Sequence, residues 1–129
     1  MEKIEIQTEK DIVLARTAAR ELAGIQGFSI MTKTRIATAV SELARNVFLH
    51  AGGGRMEYEV VNNNGRSGIR CVFTDEGPGI PDIEGAMKEG FSTSSTLGHG
   101  LSGTRRLVDE FEISSEAGKG ARVEIVKWQ

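Results

Sequence analysis

The sequence predicts a two-layer α/β sandwich in which a mostly antiparallel sheet carries its helices on one face. Three observations lead there. Two long segments repeat apolar residues at helical spacing, several short runs alternate apolar and polar residues as half-buried strands do, and those runs come in pairs joined by turn-forming residues. Helices and antiparallel strands segregated in this way favour one sheet covered on a single side. At 129 residues the chain has the size of one domain, and residues 1–129 are read as one.

The elements follow in order. Residues 3–7 alternate, with Ile4 and Ile6 on one side, and open the chain as a short strand. From Lys10 to Gln26, Ile12, Ala15, Ala19, Leu22, Ala23 and Ile25 recur at helical spacing, and Gly27 marks the stop. A second helix begins near Thr32, carries Ile36, Ala39, Val40, Leu43, Ala44 and Val47 on its apolar stripe, and ends at Ala51-Gly52-Gly53-Gly54. Arg55–Val61 and Gly68–Thr74 are strands that pair antiparallel through Asn62-Asn63-Asn64-Gly65, whose residues tolerate the positive φ of a hairpin turn. Residues 75–100 are rich in glycine, with both prolines, a Ser/Thr cluster and one short helical stretch at Ile83–Lys88; a loop this long inside a domain is usually functional. Leu101–Glu110 reads as a helix, and Phe111–Ala117 and Ala121–Lys127 as a closing strand pair around Gly118-Lys119-Gly120.

The formal charge of −2, with Lys and Arg dispersed, offers no basic stripe for nucleic acid. No run of about 18 apolar residues spans a membrane, and the opening residues lack an apolar signal core, so a cytoplasmic protein is expected. The single cysteine, Cys71, sits in an alternating run and is expected to be a core thiol.

Chemistry concentrates at a few places. Glu42 and Asn46 lie four residues apart on the second helix, at the edge of its apolar stripe. They form either a solvated pair or a site where an amide oxygen holds a divalent cation and a carboxylate orients a hydroxyl. Asp75-Glu76-Gly77-Pro78-Gly79-Ile80 follows a strand directly. It is either an ordinary turn or an acid that accepts from an exocyclic amine beside backbone able to pass close to a flat ring. Gly98-His99-Gly100-Leu101-Ser102-Gly103 opens the last helix, where free N–H groups and the helix dipole favour an anion. This stretch matches neither the Walker pattern nor the dinucleotide fingerprint.

Taken in order, a helix with Glu-x-x-x-Asn, a strand ending in Asp-x-Gly-x-Gly, a variable segment, Gly-x-Gly opening a helix and Gly-x-Gly in a closing hairpin resemble the GHKL superfamily of ATPases and kinases, built on the Bergerat fold. Over residues 36–127 the resemblance is closer to the small serine/threonine kinases of the anti-sigma and stressosome-switch group. It rests on Ser41-Glu42-Leu43-Ala44-Arg45-Asn46, on Asp75 through Ile83, and on Gly98 through Phe111.

The resemblance implies ATP and Mg2+ as ligands. It implies that Asn46 binds the metal, that Glu42 is the general base toward a serine or threonine hydroxyl, and that Asp75 reads the adenine amino group. Gly77, Gly79 and Ile80 line the ring in this picture, Gly98, His99, Gly100 and Leu101 surround the phosphates, and Phe91–Leu97 forms a lid. Arg105, one turn into the last helix, is either a contact to the terminal phosphate or a solvated side chain. Two positions depart from the family: His99 stands between the glycines where an apolar residue is common, and Ala121 stands where many members have threonine. Partners implied by the resemblance are STAS-domain scaffold and antagonist proteins as substrates, and a PP2C-type phosphatase or sigma-pathway regulator downstream. The competing reading is an anti-sigma-factor-like binding module, gated by nucleotide, that sequesters a partner without phosphorylating a scaffold.

Overall fold

A computed structural model of the chain describes residues 1–75, Gly77, 101–116 and 120–129. Strand β1 (Glu2–Ile6) leads into α1 (Glu9–Ile25) and α2 (Ile30–Ala51), followed by β2 (Gly54–Asn63), β3 (Arg66–Asp75), α3 (Leu101–Leu107), β4 (Glu110–Glu116) and β5 (Gly120–Trp128). The strands form one sheet in the order β1-β2-β3-β5-β4, and every pairing in it is antiparallel.

Local chemistry sets the boundaries. Asp11 accepts the backbone N–H groups of Gln7 and Thr8 at 2.8 and 2.9 Å, which fixes the entry to α1. Ser29 caps α2 by accepting the N–H of Thr32 at 3.2 Å, so that helix begins two residues before the expected Thr32. Its far end closes with Gly52 in the left-handed region at φ 75°, and the Gly53 N–H donates back to the Val47 carbonyl at 3.2 Å. The Asn-Gly signal is realised as a turn with φ of 54° at Asn64 and 80° at Gly65.

The last helix is shorter than its sequence pattern suggests. It stops at Leu107 rather than at Glu110 because Asp109 is claimed by β5. The Asp109 N–H donates to the Val126 carbonyl at 3.0 Å, and its carboxylate accepts the Trp128 N–H at 2.6 Å and Lys127 Nζ at 3.2 Å.

One sheet face and the three helices among the described residues share a single core. Met56, Ile69, Cys71, Phe73, Val123 and Ile125 point from the strands into Ile12, Ala15 and Ala19 of α1, Ile36, Val40 and Leu43 of α2, and Leu101 of α3. α2 is central, packing on both α1 and α3. Cys71 is fully buried, and burial pushes its thiol up to about 12, so it behaves as the inert core residue expected. The opposite sheet face is ionic. Arg70 forks onto both carboxylate oxygens of Glu124 at 3.0 and 2.9 Å and reaches Glu59 at 3.0 Å. No helix among the described residues is long and apolar enough to cross a membrane.

Candidate nucleotide and catalytic site

The site is built where β3 ends against the C-terminus of α2. Asp75 is the last residue of β3, and its Oδ1 accepts the Gly77 N–H at 3.0 Å, an Asx turn that bends the chain back. Gly77 then passes so close to α2 that a Cβ there would lie 2.6 Å from the Cβ of Ala51 and 2.7 Å from its Cα. Only glycine fits this crossing.

The same Asp75 oxygen accepts the N–H of Ala121 at 3.2 Å, joining the end of β3 to the start of β5. Ala121, at the position where many family members have threonine, thus contributes its backbone N–H here and carries no hydroxyl. Gly120 beside it is buried, with φ 91°, and its carbonyl accepts the Ser115 hydroxyl at 3.3 Å. Among the described residues, both hydrogen bonds to the Asp75 carboxylate end on Oδ1. An acidic oxygen held on a rigid strand end suits an exocyclic amine.

Two clefts share Thr74 and Asp75. One, of about 340 Å3, runs between β3, β4 and β5 along Ser114, Ser115, Gly120 and Arg122. The other, of about 320 Å3, lies at the α2–β2 corner beside Gln7, Ala51, Gly53 and Arg55.

Glu42 and Asn46 are both half-buried on α2, and neither lines those two clefts. At 1.5 Å of rise per residue, Asn46 lies about 7.5 Å along the axis from Ala51, and Glu42 about 6 Å further. Carboxylate, amide and the Gly77 crossing therefore follow one another along one helix. Leu101 is 2% exposed and belongs to the core, so any contact it makes with a ligand runs through its backbone. Arg105 is exposed one turn into α3. Gly79, Ile80, Gly98, His99, Gly100, the 91–97 stretch, the helical stretch at 83–88 and the 118–119 turn lie outside the described residues.

The donor set fits a nucleotide-borne Mg2+ better than a resident metal. Among the described residues, no group of three His, Cys, Asp or Glu converges to hold an ion alone. The amide oxygen of Asn46 is a hard oxygen donor of the kind Mg2+ takes, and as a lone protein donor it would suit an ion that arrives with phosphate oxygens.

Residues 31–129 match the model of the histidine kinase-, DNA gyrase B- and HSP90-like ATPases. The chain belongs to that ATPase family. It is 48% identical over 125 residues, 97% of this chain and 94% of the relative, to the serine/threonine-protein kinase RsbT of Bacillus subtilis strain 168. It is also 33% identical over 122 residues, covering 88% of this chain and 82% of the relative, to the anti-sigma F factor of Caldanaerobacter subterraneus subsp. tengcongensis. Among solved structures, the nucleotide-free catalytic domain of the histidine kinase ThkA superposes with a TM-score of 0.54 at 18% identity, covering 98% of this chain and 95% of that one. That superposition reports on the fold alone. The identity to RsbT over nearly the whole of both chains places this member of the ATPase family among the RsbT-like serine/threonine protein kinases.

Sequence reasoning missed two partners in the site. Ala51 is the surface that makes Gly77 obligatory, and the only hint was a small residue just ahead of the glycine run. Ala121 closes the Asp75 strap from 46 positions away, through a backbone group that no residue type advertises.

Proposed function

We propose that this chain, acting as a single kinase domain over residues 1–129, transfers the γ-phosphoryl group of ATP to a serine or threonine of a STAS-domain scaffold or antagonist protein. The observation that carries the proposal is the 48% identity to a serine/threonine kinase across almost the full length of both chains.

In this mechanism the chain's residues do three things. Asp75, held rigid by Gly77 and Ala121, receives the adenine amino group on its carboxylate, while Gly77, Gly79 and Ile80 border the ring. In this reading backbone N–H groups at Gly98, Gly100 and Leu101 cradle the phosphates, and His99 and Arg105 add positive charge. Asn46 would hold a Mg2+ ion, which would supply neutralisation of the phosphate charge. Glu42 aligns the acceptor hydroxyl and takes its proton as the hydroxyl oxygen bonds to the γ-phosphorus and the bond from that phosphorus to the bridging oxygen breaks, leaving ADP.

The product phosphate adds about −1.5 to −2 charge to the partner. At the interface with the kinase this charge favours release, and the freed kinase then binds and activates a PP2C-type phosphatase or a sigma-pathway regulator. We read this partner switching as a cytoplasmic stress response. The 33% identity to an anti-sigma F factor supports a second reading, a nucleotide-gated module that sequesters its partner without phosphorylating a scaffold. Glu42 separates the two, because a pure binder needs no base there.

Incubation with radiolabelled Mg-ATP and a recombinant STAS-domain protein from the same genome tests the proposal. Phosphoserine or phosphothreonine on the partner, absent with Asn46→Ala, is the expected outcome. ATP binding without transfer of label favours the sequestering module instead.

A further inference from the structure

A groove of about 710 Å3 runs between α1 and α2, away from both clefts at Asp75. Arg16, Arg20 and Glu21 of α1 line it from one side, and Lys33, Thr38 and Ser41 of α2 from the other. Three cations therefore face one carboxylate. Among the described residues, none of Arg16, Arg20 and Lys33 takes part in an ion pair. The outer sheet face behaves differently: Arg55, Arg70 and Arg122 each have a carboxylate partner within 4 Å. The groove floor also keeps polar capacity in hand, since Ser41 Oγ is shielded from solvent without a hydrogen-bond partner.

Position gives the groove its meaning. Thr38 and Glu42 are four residues apart on α2, so they lie on one stripe of the helix a turn from each other. Ser41 faces α1 while Glu42, the next residue, falls on the flank that leads toward Asn46. The α2 wall of the groove thus ends at Ser41, one residue before Glu42.

We propose that the α1–α2 groove is the docking site for the protein substrate and that it takes an acidic segment of that substrate, held against Arg16, Arg20 and Lys33. This rests on the kinase reading above. The charge argument selects the occupant: the chain as a whole carries −2, so the unpaired cations are a local feature that matches a discrete acidic surface. An extended polyanion would call for a basic excess across the domain.

The test measures phosphorylation of the STAS-domain protein and, separately, its equilibrium binding to the kinase. The double variant Arg16→Glu with Arg20→Glu is expected to raise KM for the protein substrate roughly tenfold or more, because opposed charges become like charges. Mg-ATP affinity and kcat at saturating substrate stay at their original values. Glu21→Gln is expected to lower KM about twofold by removing the groove's one acid, a gain that misfolding does not produce. Raising salt weakens docking of the unaltered protein and, by screening the like charges, lowers KM for the double variant. A double variant whose KM stays within about twofold of the original value, with transfer proceeding, overturns the docking site. If the unaltered protein binds the partner but transfers no phosphate, the kinase reading fails while the binding data still decide the groove: loss on charge reversal upholds it, and unchanged binding overturns it. Absence of both transfer and binding overturns the two together.

Discussion

Asp75 Oδ1 accepts the backbone N–H of Ala121 at 3.2 Å, so one carboxylate oxygen ties the end of β3 to the beginning of β5 across 46 residues of sequence. The same oxygen holds the Gly77 N–H at 3.0 Å. A side chain that was expected only to read a base also braces the strands that frame the site.

Asp75→Asn separates the two roles. The amide oxygen of asparagine can still accept from Gly77 and Ala121, but its NH2 group then opposes the adenine amino group, donor against donor. Melting temperature is expected to change little while ATP affinity falls about tenfold to a hundredfold, the range for losing a hydrogen bond to a charged acceptor. Titration calorimetry with ATP, beside a thermal melt, checks both. Asp75→Ala should lower both together.

Gly77→Ala places a methyl group against Ala51 and is expected to cost about 1–3 kcal/mol through overpacking at the end of α2. Ala51→Gly in the same chain removes the Cβ that is struck and leaves the Cα, 2.7 Å from the new methyl. The double variant should therefore recover part of the loss, and a coupling energy of about 0.5 kcal/mol or more in a denaturation cycle is the expected signature of direct contact.

Much of this was legible in the sequence. Ile12, Ala15 and Ala19 place α1 from spacing alone, and Asn64-Gly65 states the β2–β3 turn outright, because these signals are local and depend on residue type. What could not be read depends on neighbours distant in sequence. Asp109 continues the helical pattern of α3, yet its backbone and carboxylate are taken by Val126, Lys127 and Trp128, so the helix ends early. The groove of Arg16, Arg20 and Lys33 arises only once α1 and α2 lie side by side, although each cation looks like an ordinary solvated residue in the sequence.

The ionic face of the sheet predicts a pH response. The Arg70 hydrogen bond to Glu124 holds the Glu124 carboxyl below its ordinary value of 4.5, against the opposing effect of burial and with further help from Arg122. A depressed folded-state pKa contributes stability that is present above 4.5 and is lost as pH falls through the folded value. Arg70→Met removes the pairing and leaves Glu59 and Glu124 without their shared cation. The variant should be less stable than the original at pH 7 by about 1 kcal/mol, given partial screening at a half-exposed site. That deficit should shrink on acidification below pH 4.5, as read from urea midpoints across the range. A deficit that stays constant with pH would assign the loss to packing instead.

The central claim is that α2 carries the catalytic base of a phosphoryl transfer whose nucleotide is anchored at Asp75. Single-turnover transfer from Mg-ATP to the STAS-domain protein by Glu42→Gln, alongside its Mg-ATP affinity, tests that claim most directly. The account predicts nucleotide affinity within about twofold of the original and transfer slowed by roughly 100-fold or more, the scale of general-base catalysis. Transfer at the original rate with Glu42→Gln would contradict it and remove the base from α2.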